Sequence, residues 1–132
     1  MQVVSPIDIE DALRSDLGAA MSGCRVFAPP IPADLAASDV LVEVVGGMSA
    51  SAASNEHDVS VDCYAGNEAE ACALANEACG IVASLPLRDT DTQYGAVSIN
   101  AVPYRNHDPR APQLARYTFR AHIVCPGERL TF

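Results

Sequence analysis

Leu114–Cys125 reads LARYTFRAHIVC, and the way its residues sort into two stripes decides the fold. Tyr117, Phe119, Ala121, Ile123 and Cys125 share one face of an extended strand, while Arg116, Thr118, Arg120 and His122 share the other, with Val124 the exception. Successive strand side chains point to opposite faces, so this alternation predicts a half-buried strand with an apolar core side and a cationic side. A second stretch, Asp58–Tyr64, alternates in the same way. Val59, Val61 and Cys63 stand against Asp58, Ser60, Asp62 and Tyr64, which gives that strand an anionic outer face. If the two strands are neighbours, their charges pair across the ladder at roughly 0.2–1 kcal/mol each. If they are not, the cationic stripe is left for a second molecule.

Working outward, Ser5-Pro6-Ile7-Asp8 reads as a helix start, with Ser5 as cap and Asp8 at the capping-box position. Ile9, Leu13 and Leu17 then form an apolar stripe to about Met21, and Gly23 ends the helix. Cys24–Ala28 is a short strand stopped by Pro29, Pro30 and Pro32, and Val40–Val45 is a stronger one. Gly46–Asn55, rich in glycine, serine and alanine, reads as a loop that is mobile or ordered only by a partner. Asn67 caps a second helix from about Glu68 to Ser84, with Pro86 closing it. Gln93–Val102 is a further strand with Gly95 as a bulge, Pro103–Gln113 is irregular, and the last eight residues are a turn and tail. The order α-β-β-β-α-β-β predicts one α+β domain over 1–132: a small mixed, mainly antiparallel sheet of about four to five strands, with two helices packed on one face.

Composition narrows the function. Aromatics are 5% and Trp is absent, so the core must be built from small aliphatic side chains. The net charge of −9 argues against general nucleic-acid binding, which rests on clustered cations. That charge is unevenly spread. Residues 1–99 carry 15 acids against Arg14, Arg25 and Arg88, a formal −12, whereas residues 100–132 carry five arginines against Asp108 and Glu128, a formal +3. Oppositely charged ends allow copies to meet head to tail. No stretch reaches the roughly 20 apolar residues of a membrane helix, and the acidic, amphipathic N-terminal segment is wrong for a signal or transit peptide, so residence in a cytoplasm is expected. The five cysteines show no C-x-x-C spacing and read as small packing residues.

No catalytic constellation emerges. His57-Asp58 and His107-Asp108 lack the i, i+4 spacing of a helical metal pair and read as solvated loop histidines. The cysteines lie among acidic and apolar residues, which raise a thiol's pKa. No G-x-S-x-G elbow or phosphate loop is present. We therefore expect no enzyme, metal or cofactor.

Ile9–Leu17 (I-x-x-A-L-R-x-x-L), Pro29–Pro32 before the Val40–Val45 strand, His57–Ala65 (HDVSVDCYA), the alanine-rich Glu68–Pro86 and Arg116–Ile123 (RYTFRAHI) together resemble the tail terminator, or tail-completion, proteins of long-tailed bacteriophages. The order and spacing of these pieces carry the resemblance, which covers nearly the whole chain. It implies a non-enzymatic virion protein that assembles into a ring, typically a hexamer, on the head-proximal end of the tail tube. Such a ring ends tube polymerisation, offers a surface to head-completion or neck proteins, and lets DNA pass without specific binding. Arg105, Arg110, Arg116 and Arg120 are then the expected contacts to Glu43, Asp58 or Asp62 of a neighbour, or to the tube's end. The alternatives are a head-completion adaptor of the same particle, a tail tube subunit, and a small cytosolic enzyme working around His57 or His107.

Overall fold

The computed structural model describes residues 1–132. In chain order it forms β1 (Gln2–Ser5), α1 (Ile9–Ala20), β2 (Arg25–Phe27), β3 (Asp39–Ser49), β4 (Ser54–Ala65), α2 (Glu68–Ala83), β5 (Ala96–Arg105), β6 (Ala115–Pro126) and β7 (Glu128–Thr131), with a 3₁₀ turn at Leu85–Leu87. Five strands make one sheet in the order β2-β3-β4-β6-β5, parallel only between β2 and β3. This is the mixed, mainly antiparallel α+β sheet that the alternation predicts, with both helices packed on it.

Period two puts the apolar stripes of the strands on the helical side. Val40, Val42, Val59, Val61, Cys63, Phe119, Ala121, Ile123 and Cys125 form one buried cluster with Ile9, Leu13 and Leu17 of α1 and with Ala75, Ala78, Ile81 and Val82 of α2. Each fully buried aliphatic side chain contributes about 1.5–3 kcal/mol. The alanines matter geometrically, because small contact residues let a helix lie close to its neighbour. Asn67 caps α2 by accepting from the Glu70 amide at 2.9 Å, as its position after a strand suggests. Burial pushes the thiols of Cys63, Cys79 and Cys125 upward in pKa, so they remain protonated packing groups.

Five expectations are corrected. Ser5 is not the cap of α1. It ends β1, and Asp8 caps instead by accepting from the Asp11 amide at 3.1 Å. The C-terminal tail is strand β7, paired antiparallel with β1 from Gln2–Thr131 to Ser5–Glu128. Both segments are four residues long, and only their pairing across the whole chain makes them strands. Gly46–Asn55 is likewise no open loop. β3 runs on to Ser49, β4 starts at Ser54, and a short turn joins them, with the register shifting at Val45. Low β-propensity here is overridden because β6 pairs with β4 as far as Ser54 and Asn55. β5 also begins later than expected and takes Pro103 into its end, which an outermost strand tolerates. Its register shifts fall after Ile99 and after Ala101, not at Gly95.

Gly127, between β6 and β7, lies against the first strand so closely that an added Cβ would sit 2.5 Å from Ser5 O and from Val4 Cγ1. Gly127→Ala should therefore part the β1–β7 ribbon at a cost of about 1–3 kcal/mol. Hydrogen exchange should speed up at Gln2–Ser5 and stay slow in β4; unchanged ribbon protection would refute this.

Candidate functional site

Because β4 and β6 are neighbours, their polar stripes face each other within one chain. The register sets Tyr64 opposite Arg116, Asp62 opposite Thr118, Ser60 opposite Arg120 and Asp58 opposite His122. At one end this sheet face is closed by the turn between β5 and β6, residues 106–114. Arg116 pins that turn: its Nε donates to Asn106 O at 2.6 Å, its Nη2 to His107 O at 3.3 Å, and its Nη1 lies 3.3 Å from Asp108 Oδ2 and 3.9 Å from Asp62 Oδ2. The Arg116 side chain is 12% exposed and that of Asp108 only 2%. Tyr64 Oη donates to Asp108 Oδ2 at 2.8 Å, and Arg110 donates to both Asp108 oxygens at 3.0 Å. Thr118 links the two halves, donating to Asp62 Oδ1 at 2.6 Å and accepting from Asn106 Nδ2 at 3.1 Å.

The titration behaviour follows from these contacts. Burial pushes Asp108 upward, but the bonds from Arg110 and Tyr64 and the nearby Arg116 charge outweigh it and hold this carboxyl well below the usual range. Burial, then the bond to Asp108, pushes Tyr64 up to about 12. Asp62 is raised by burial, with Thr118 and Arg116 opposing. The cluster is a charged, hydrogen-bonded clamp closing one end of the sheet.

Halfway along the same face, His122 lies between two acids. Nδ1 is 2.8 Å from Asp58 Oδ1 and Nε2 is 2.6 Å from Glu56 Oε1. A neutral imidazole has a single N–H, so only the protonated ring can donate to both carboxylates. The bonds to Asp58 and then Glu56 raise its pKa accordingly. His57, the next residue along β4 from Asp58, points to the other side. It is buried rather than a solvated loop residue, its Nε2 has no hydrogen-bond partner, and burial, with the charge of His122, lowers its pKa.

The seven expected interface residues thus part ways. Arg116 and Asp62 are spent on the clamp, Arg110 on Asp108 and Asp58 on His122, while Arg105 Nη2 pairs with Glu68 Oε2 at 2.8 Å on the surface. Glu43 and Arg120 alone have no ion-pair partner. Three of the four expected arginines are therefore paired inside the chain, Arg116 across the β4–β6 ladder, Arg105 with α2 and Arg110 within the 106–114 turn, which leaves fewer cations for a second molecule. Sequence reasoning missed Asp108, Tyr64 and Glu56 as partners. Alternation placed Tyr64 on the polar side, but nothing local showed that residues 106–114 would fold over it.

Acids concentrate elsewhere, too. Asp8, Asp11, Asp16, Asp91 and Glu128 line an open hollow beside α1. Comparison with known protein families and with curated proteins finds no match for the chain. No helix is long and apolar enough to cross a membrane.

Two predictions follow from the geometry. Arg116→Glu places a third carboxylate against Asp62 and Asp108 and should cost about 3–5 kcal/mol, whereas exposed Arg120→Glu should stay within about 0.5 kcal/mol. Urea midpoints distinguish them, and equal midpoints would dismiss the clamp. For His122, the folded state holds the proton more tightly than the unfolded chain, whose His titrates near about 6.5. Its contribution is full below that value and is lost as pH rises through the higher folded pKa. His122→Gln should lower the unfolding midpoint at pH ~5 and leave it nearly unchanged at pH ~9; an equal loss at both would show that protonation contributes nothing. His57, with a lowered pKa, works in the opposite sense, stabilising less as pH falls through ~6.5.

Proposed function

We propose that this chain is a structural virion protein of the tail terminator kind. Copies form a closed ring, expected to be a hexamer, on the head-proximal end of a phage tail tube. The ring halts addition of tube subunits and presents its other side to head-completion or neck proteins. The observation that carries this reading is a sheet whose second face is covered at one end only, by the 106–114 turn. Both helices cover one face, while the other bears exposed Val45, Met48 and Tyr104 beside charged Glu43 and Arg120. Apolar side chains rimmed by charge on a bare sheet mark a surface for protein contact.

A subunit of this shape acts by geometry. A heterologous contact that closes under rotation gives a ring, and a ring matched in symmetry to a filament can cap it without any bond-making chemistry. The net charge of −9 repels phosphate, which suits a channel that DNA crosses without sticking. In the cell the protein would be assembled in the host cytoplasm and end in the virion, with no membrane partner.

Native mass spectrometry of the purified chain, alone and with tail tubes, tests the reading. It should show a ring mass, and tubes grown with the protein present should stop at a capped end. A lone subunit under both conditions would overturn the proposal. Electron microscopy of particles labelled at the C-terminus should place the label where tube meets neck; a label on the portal side would make the chain a head-completion adaptor instead.

A further inference from the structure

We propose that the ring closes by sheet continuation, the free edge of β3 in one copy taking up the free edge of β5 in the next. The inference rests on the ring reading above and names the surfaces that make the ring.

Each edge lacks a neighbouring strand where the other can use it, and on β3 a docking strand has only the Glu10 side chain to displace. β2 pairs with β3 only at Asp39, Val40 and Leu41, so from Val42 to Ser49 β3 has no strand on that side. Along it the Val44 amide is held by Glu10, donating to Oε2 at 2.8 Å. At the opposite side of the sheet β5 is outermost along its whole length. Unpaired strand edges are templates for a further strand, and natural proteins usually guard them with lysine, proline, inward charge or strong bulges. Val42–Ser49 reads VEVVGGMS, with Glu43 its sole charge and the shift at Val45 its sole irregularity. Ala96–Ile99 of β5 has no guard of any kind.

The directions and heights agree. β5 runs antiparallel to β6, β6 to β4, and β4 to β3, so β5 runs against β3. Copies placed side by side with the same polarity therefore bring β5 and the next β3 together as an antiparallel pair. Following the registers across the sheet, Ala96, Ser98 and Ile99 lie level with Met48, Gly46 and Val44. Tyr104 and Arg105, beyond Pro103, lie level with Leu41 and Val40, where β2 already occupies the neighbouring edge. The stretch of β3 left uncovered and the proline-free stretch of β5 thus stand at the same height. Charge agrees as well. Glu43 and Arg120 lie level on the bare face with only Ser60 between them, and the joined edge would place the next copy's Glu43 two strands beyond Arg120 on its other side, with only Ala101 between. In such a ring every helix pair lies on one side of the sheet, and the bare faces merge into one continuous surface.

Val45 and Ser98 are both exposed, and Ser98 is level with Gly46, so paired charges there report on the junction. In Val45→Lys with Ser98→Lys, like charges meet at every junction, and association should weaken at least about tenfold. In Val45→Glu with Ser98→Lys, opposite charges meet and the ring should persist. Native mass spectrometry reads the assemblies, and thermal melts check that each chain folds. Rings in both variants, or folded monomers in both, would overturn the edge pairing while leaving the ring reading in place; a wild-type chain that never forms rings would overturn both. A second measurement needs no substitution. Amide exchange in the wild-type chain should slow at Val42–Ser49 and Ala96–Ile99 when dilute monomer is concentrated into rings, and equal exchange in the two states would refute the junction.

Discussion

The antiparallel ladder between β4 and β6 organises everything else in this protein. It is the longest pairing in the molecule, running from Ser54 opposite Pro126 to Ala65 opposite Ala115 without a shift in register. A slip of one residue would turn every side chain of a strand to the wrong face. The ladder fixes that choice for both strands at once, sending Val59, Val61, Phe119, Ala121 and Ile123 into the core and Asp58, Asp62, Arg116, Arg120 and His122 to the other side. β3 and β5 are added to its flanks, and the helices cover the apolar face so created.

The same ladder determines how charge is used. Opposite stripes on adjacent strands hold Arg116 near Asp62 and His122 against Asp58 and Glu56, while Arg105 and Arg110 meet acids of α2 and of the 106–114 turn. Arg116 goes further and ties down the 106–114 turn, where burial of Asp108 makes each contact stronger than a surface pair and each loss more costly. The part of the bare face beyond this clamp, and the strand edges that β2 and Pro103 leave open, take no part in these contacts.

Two histidines, one residue and one strand apart, occupy opposite faces of that sheet with opposite consequences. His122 stands between two carboxylates that favour its proton, and His57 sits where burial disfavours it. The contribution of His122 is lost as pH rises above about 6.5 and that of His57 as pH falls below it, so the pair favours the folded chain most near that pH.

Strongly periodic segments were legible in the chain itself. The stripe of Ile9, Leu13 and Leu17 marks α1, Asn67 and the alanine repeat mark α2, and alternation marks the middle of β4 and of β6, because in each the pattern of burial is written over ten or so consecutive residues. β1, β7 and the extension of β3 past Val45 were not legible. Their residues are few, or are glycine and serine, and only a partner distant in sequence gives them strand geometry. The candidate interface divides in the same way. Local order set which side chains share a stripe and what charge each stripe carries. Which acid each arginine meets, that Tyr64 and Asp108 lie buried beneath a turn, and that Glu43 and Arg120 stay unpaired were decided by the tertiary structure alone, since strand order and register depend on contacts between residues far apart along the chain.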